Sequence, residues 1–262
     1  MGVRGLMTYC RRIQRPVKSR KGLRIGIDAF SLIFLFREKR KEFADFLESL
    51  KKNHSDITFV MDKRAQKEKK ETVNERKDIR HTAKIQANEV STFTQTDEYE
   101  ELDPQQKKIL EEHLALKERD AWCMYPEYLN WVKGIVSGFY IPILMADEEA
   151  DTLLSRGNYH AVISSDSDLL ILGCNLWIPR IDSIMEISQT DFLELIGLQG
   201  EQLYELAFLC GCDIQPRKIV DIQTAISLLR FYGSLEKILE RLTVLTLDDL
   251  SLYKQLRTSA WA

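Results

Sequence analysis

The chain has 262 residues, of which 44% are hydrophobic and 29% charged, with a formal net charge of −3. This is the composition of an ordinary globular protein of one large or two small domains. No apolar run approaches the roughly 20 residues that a membrane-spanning helix needs, and the mixed polar and basic opening is no secretory signal.

Taken in chain order, Leu23–Ala29 (LRIGIDA) is a short apolar run ending in an acid, the pattern of a buried parallel strand. Phe30–Leu50 looks helical, and Ile57–Met61 is a second buried strand, followed by Asp62. From there to about Ala121 the chain is polar and Lys-rich, helical in composition but with little apolar stripe. Such a stretch is expected to project from the body. Tyr125–Ser137 reads as a helix, Tyr140–Leu144 as a strand, Glu148–Arg156 as a helix, Ala161–Ser164 and Leu176–Pro179 as strands. From Gln189 onward the pattern is helical. Strands alternating with helices imply an α/β fold with a mostly parallel central sheet flanked by helices. The expected division is an α/β domain over residues 1–187, with a projecting helical segment at about 63–120, and a helical lobe over 188–262.

The five cysteines (Cys10, Cys123, Cys174, Cys210 and Cys212) are odd in number and form no CxxC pair. This argues against a disulfide framework or a zinc site and for an intracellular, reducing compartment, without separating nucleus from cytoplasm. The small net charge conceals segregation, since Lys63–Lys84 is strongly basic and Asp97–Asp103 acidic. A basic patch for phosphates beside an acidic pocket for metals can sum to nearly zero.

In open parallel sheets, functional groups gather outside the carboxyl ends of the strands. Four expected strands deliver acids there: Asp28, Asp62, Glu149 with Asp151, and Asp166 with Asp168, while Asp213 stands in a Gly-Cys-Asp turn at the start of the helical lobe. Asp28 or Asp62 alone reads as a helix cap or turn residue and Glu149 with Asp151 equally as a solvated helix face, whereas Asp166 with Asp168, two acids closing a strongly apolar strand, is more pointed; the joint pattern is the signal. Seven carboxylates in one pocket would repel one another unless cations neutralise them. All-oxygen ligands suit Mg²⁺, with Mn²⁺ able to substitute, and a site this acidic could hold two ions that clamp the attacking and leaving oxygens of a phosphodiester.

These residues resemble the family of flap endonucleases and the xeroderma pigmentosum G nuclease. Met1–Leu6 (MGVRGL) is similar to the family's opening, IGIDAFSLI and FVMDK to its first two acidic motifs, MADEEAD and ISSDSDLLILG to its next two, and GCD with YGSLEKIL to its third acidic site and DNA-binding helices. The resemblance implies a PIN-like 5′ nuclease domain with a C-terminal helical DNA-binding lobe, the seven acids as catalytic metal ligands for two Mg²⁺ ions, and DNA, branched or 5′-flapped, as partner. It also implies that Lys69 and Arg76, on a mobile helical gateway, draw in the scissile phosphate, that Phe34 stacks on a base, and that Gly2 lies close to the bent nucleic acid.

Three features depart from the family pattern. Ile214–Thr224 (IQPRKIVDIQT) lacks the glycines of the family's hairpin, so a phosphate contact there would be rebuilt around Arg217 and Lys218. An acidic insert follows the gateway, and no sliding-clamp motif is recognisable. The expectation is a monomeric, structure-selective 5′ nuclease of flap endonuclease or 5′-3′ exonuclease type, acting on DNA in replication, repair or recombination, with no membrane association. An RNA endonuclease on the same fold and a non-catalytic nucleic-acid-binding scaffold are the alternatives.

Overall fold

Short apolar runs build the sheet of the computed structural model, which describes residues 2–18, 20–37, 39–63, 70–147 and 149–259. Seven strands occur among the described residues: β1 (Arg15–Pro16), β2 (Arg24–Asp28), β3 (Asp56–Asp62), β4 (Ile143–Ala146), β5 (Ala161–Ile163), β6 (Leu176–Pro179) and β7 (Ile184–Ile187). They hydrogen-bond in the order β1-β7-β6-β5-β2-β3-β4. From β6 to β4 every pair is parallel, whereas β7 runs antiparallel to both β6 and β1. Ile25, Ile27, Phe59, Val60, Val162 and Ile163 are buried, as side chains of parallel strands covered on both faces must be.

The register fixes where the acids fall. Asp28 lies opposite Val60, Asp62 opposite Ala146, and Ile27 opposite Ile163. The carboxyl ends of β2, β3, β4 and β5 therefore share one edge, and the chain leaves each of them toward or through an acid.

Three elements differ from the sequence expectation. The helix expected over 30–50 is two helices, Ala29–Phe36 and Arg40–Asn53. Arg37 has a positive φ of 45° with ψ −117°, outside the helical region, and its amide donates to the Ile33 carbonyl, which ends the first helix. The strand expected at 140–144 begins only at Ile143, because Tyr140 also has a positive φ of 54° and Pro142 has no amide for the ladder. The antiparallel pair β1 and β7 has two and four residues, too few for a periodic signal.

The last third forms helices Gln189–Ile196, Glu201–Cys210, Ile222–Tyr232, Leu235–Arg241 and Leu247–Ser259. Their apolar faces do not make a separate core. Phe192, Leu206, Phe208, Leu229 and Ile238 belong to one continuous buried cluster with Val60, Val162 and Leu176 of the sheet. The chain divides into two compact units, one of Met1–Lys69 with Asn130–Ala262 and one of Lys70–Leu129. Within the second unit, helices Lys70–Phe93 and Pro104–Ala121 pack together. Thr96 caps the intervening short helix, and Asp103 and Gln106 form a reciprocal capping box at the start of the later one. No helix among the described residues is long and apolar enough to cross a membrane.

Candidate active site

Asp28 is the last residue of β2 and the N-cap of helix Ala29–Phe36. Its Oδ1 accepts from the Phe30 and Ser31 amides at 3.0 and 3.3 Å, and its Oδ2 accepts from the Ser164 hydroxyl at 2.8 Å. Burial pushes this carboxyl up to about 6; the charges of Asp166 and Asp62 add to that rise, and the bonds from Ser164 and Ser31 oppose it. Acids from three strands thus act on one another. Asp62, the last residue of β3, accepts the Ala150 amide at 2.5 Å. This ties it to the helix Ala150–Arg156, which has Glu149 at its N-cap and Asp151 in its first turn.

The loop after β5 is built by serines. The Ser164 hydroxyl that binds Asp28 also accepts the Asp166 amide at 3.0 Å, and Asp166 Oδ1 accepts the Asp168 amide at 3.1 Å. Ser31 Oγ accepts the Ser165 amide at 2.6 Å. Sequence reasoning passes over Ser31 and Ser164, although a serine just before an acid pair at a strand end is a readable sign of such a loop. Gly2, at φ 69°, sits against this loop, and a β-carbon on it would stand 2.2 Å from Asp166 Oδ1.

Asp213 is 7% exposed and follows Cys212. Burial, with the charges of Asp168 and Asp213 adding, pushes the Cys212 thiol up to about 12, which puts both acids in the surroundings of one sulfur. The Asp151 charge reaches Cys174, whose thiol burial likewise drives up to about 12. All five cysteines are free thiols. Phe34 is 40% exposed on the helix Asp28 caps, while its neighbours Ile33 and Phe36 are fully buried. Lys69 lies outside the described residues, as does the side chain of Arg76, whose backbone is in helix Lys70–Phe93.

The turn after Asp213 holds without glycine. Cys212 donates to the Gln215 carbonyl at 2.8 Å, Gln215 Nε2 donates to the Phe208 carbonyl at 3.3 Å, and the Ile219 and Val220 amides both reach the Leu209 carbonyl. Asp221 caps the next helix through the Gln223 and Thr224 amides. Arg217 is committed in part to structure: its Nη1 donates at 2.9 Å to Asp249, which is nearly buried. Lys218 is exposed.

The donors at the acid cluster are all oxygen, the chemistry of hard divalent cations. The mutual repulsion of Asp28, Asp62 and Asp166 is what a cation would relieve, so the residues fit one. Asp28, Asp62 and Asp166 accept from amide and hydroxyl donors. Among the described residues, no three His, Cys, Asp or Glu side chains converge closely enough to hold an ion directly. A cavity of about 460 Å³ lies elsewhere, lined by Lys18, Asp45, His54 and Trp177 among others, and contains none of these acids.

The family model of the XPG I-region matches residues 141–213, a span that contains Glu149, Asp151, Asp166, Asp168 and Asp213. The chain is 35% identical over 114 residues to flap endonuclease 1-B of Physcomitrium patens, covering 39% of this chain and 33% of that protein. It is 34% identical over 112 residues to flap endonuclease 1 of Fusarium vanettenii, covering 38% and 28%. The matched segment thus spans about a third of these relatives' length. In fold, the chain is similar to the catalytic core of Rad2, with a TM-score of 0.63 at 19% identity over 99% of this chain and 80% of that one. It is also similar to human GEN1 in complex with Holliday junction DNA, with a TM-score of 0.55 at 12% identity over 98% and 62%. The chain therefore carries an XPG I-region and is similar to flap endonucleases over about two fifths of its length, on a fold similar to that of the Rad2 catalytic core.

Proposed function

We propose that the chain is a structure-selective, divalent-metal-dependent 5′ nuclease that hydrolyses phosphodiester bonds in DNA. The observation that carries this reading is that four adjacent parallel strands end in or lead to acids along one sheet edge, with Asp62 and Asp166 near enough to help raise Asp28. A structural role for one carboxylate is common; like charges assembled from separate strands oppose folding unless a bound cation compensates.

Asp28, Asp62, Glu149, Asp151, Asp166, Asp168 and Asp213 are the residues that would hold the metal. When bound, a pair of Mg²⁺ ions would supply an activated water and charge neutralisation for the departing 3′ oxygen. The chain's own residues prepare the place. Ser164 orients Asp28 and, through the Asp166 amide, the loop that carries Asp166 and Asp168. Gly2, lacking a β-carbon, lets the amino-terminal backbone pack directly against Asp166 and Ser167. The exposed ring of Phe34 would offer a face to a base, and the family resemblance assigns Lys69 and Arg76 to the scissile phosphate. Lys218, exposed on the turn, would meet a duplex phosphate. None of these contacts reads a base sequence, so selectivity would come from the shape of the nucleic acid.

The test is cleavage of labelled DNA with flaps, nicks or blunt ends and of matched single-stranded RNA, with Mg²⁺ and with chelator. Mg²⁺-dependent cutting of flapped or nicked DNA is expected. A clear preference for RNA would overturn the substrate, and no cleavage of any nucleic acid by a folded sample would overturn the activity.

A further inference from the structure

The first 27 residues contain eight Lys and Arg and no Asp or Glu, in a chain whose net charge is −3. All eight are exposed. Three have acidic partners: Arg15 with Asp191 at 3.6 Å, Arg20 with Glu186 at 3.2 Å, and Arg24 with Asp56 at 2.9 Å. Arg4, Arg11, Arg12, Lys18 and Lys21 have no ion-pair partner among the described residues. Lys18 borders the cavity that also contains Glu42, Asp45 and Asp182, so the uncompensated charge rests chiefly on the other four.

These charges follow a path. Arg4 is two residues from Gly2 and its amide donates to the Gly211 carbonyl at 2.9 Å, which puts the start of the path beside both the Asp166 loop and the Asp213 turn. Arg11 and Arg12 lie on the 3-10 turn Cys10–Ile13, with the Arg12 guanidinium held 4.7 Å over the Tyr9 ring. The chain then forms β1, the outermost strand on one side of the sheet, and Lys21 follows it shortly before β2 begins at Arg24. A positive track therefore runs from the rim of the acid cluster along the sheet's β1 edge toward the amino end of β2.

We propose that this strip is a docking track for the sugar-phosphate backbone of the nucleic acid whose scissile phosphate reaches the acid cluster. The inference rests on the nuclease reading for what is being held. Acids gathered at the strand ends repel a polyanion, and a positive surface leading to them restores the attraction that brings a phosphate chain there. Lys and Arg on such a track act by displacing counterions, and each phosphate contact steepens the salt dependence of binding by about 0.9 on duplex DNA. An anionic lipid surface fits less well. The large apolar side chains of the segment turn inward, with Leu6 and Cys10 buried, and offer no exposed apolar face to insert.

The experiment is fluorescence-anisotropy binding of a 5′-flapped DNA duplex across a salt series, with chelator present to stop cleavage. It compares the full chain, the variant Arg11→Gln/Arg12→Gln/Lys21→Gln, and a charge control, Lys39→Gln/Lys41→Gln, both exposed at the amino end of helix Arg40–Asn53, the end away from Lys21. The strip variant is expected to keep the melting temperature, to bind at least about tenfold more weakly near 0.1 M salt, and to show a salt slope shallower by about 0.9 for each phosphate that it no longer neutralises. The charge control should stay close to the unmodified chain.

Affinity and slope that match the charge control would overturn the strip. So would binding of phosphatidylserine vesicles that the substitutions abolish while DNA binding is unchanged. Cleavage of the same DNA in Mg²⁺ separates this proposal from the activity. Strip-dependent binding without cleavage would leave the track standing and remove the nuclease, whereas cleavage with strip-independent binding would do the reverse.

Discussion

A β-carbon on Gly2 would stand 2.2 Å from Asp166 Oδ1 and 2.4 Å from Ser167 Oγ, so the amino-terminal glycine forms one wall of the acid cluster. Gly2 is also at φ 69°, where any other residue is strained. Gly2→Ala must displace either the Asp166 loop or the amino terminus itself. The expected result is a single-turnover cleavage rate reduced by at least about tenfold, equivalent to about 1.4 kcal/mol in the barrier. The melting temperature should move by no more than about 2–4 °C. An unchanged rate would show that the wall is not part of the site.

Much of this arrangement was legible in the sequence because buried parallel strands announce themselves. ITFVM and AVIS are apolar without alternation, each closes on a polar turn, and the acids that follow mark the functional edge. What was hidden depends on contacts between distant segments. Ser164 and Ser31 are unremarkable residues whose role exists only because β5 lies beside β2 and brings Ser164 to Asp28. Arg217 reads as a free cation until helix Leu247–Ser259 brings Asp249 to it. The helical third reads as a separate lobe because its own amphipathic pattern is complete. Nothing local says that Leu206 and Phe208 share a core with Val60 and Val162. The strip of basic residues at the start was visible from composition alone, but its path along β1 depends on pairing with a strand more than 160 residues away.

Asp28→Asn separates metal binding from folding. Asparagine keeps the N-cap bonds to the Phe30 and Ser31 amides and removes one of the charges repelling Asp62 and Asp166. Without divalent ion the variant should melt no lower than the parent. Adding Mg²⁺ should raise the parent's melting temperature, since a ligand that binds only the folded state stabilises it, and should raise the variant's much less. Cleavage should fall by at least about a hundredfold, beyond what loss of an outer-shell partner costs. Equal Mg²⁺ stabilisation of the two proteins would remove Asp28 from the metal site.

Adjacent cations at the glycine-free turn should behave differently. Lys218 is exposed, so Lys218→Ala should weaken duplex binding and flatten its salt dependence by about 0.9 without changing stability. Arg217→Ala leaves the nearly buried Asp249 without its guanidinium, although Thr246 still donates to it from its amide and hydroxyl at 2.9 and 2.8 Å. The Arg217 side chain is 66% exposed, so screening holds the cost to about 1 kcal/mol or less. A thermal melt together with a binding titration reads both effects. Stability loss confined to Lys218→Ala would invert the assignment.

Glu205 gives the helical third a pH dependence of its own. It is 5% exposed, with Oε1 accepting the Leu235 amide at 3.1 Å and Oε2 having no hydrogen-bond partner among the described residues. Burial raises its carboxyl above the ordinary range, the charges of Glu201 and Glu236 add to the rise, and the Leu235 bond opposes it. A group whose folded value is raised contributes stability that is fully present below its unfolded value and lost as pH rises through the folded one. The ionised form therefore weakens the fold at neutral and alkaline pH. Glu205→Gln keeps an acceptor for Leu235 and stays neutral, so its melting temperature relative to the parent should rise as pH climbs from 4 above the ordinary carboxylate range and then level off once the folded carboxyl has ionised. A constant difference between the two proteins across that range would mean that Glu205 does not titrate between them, and the buried carboxylate would then have to be neutralised by some other contact.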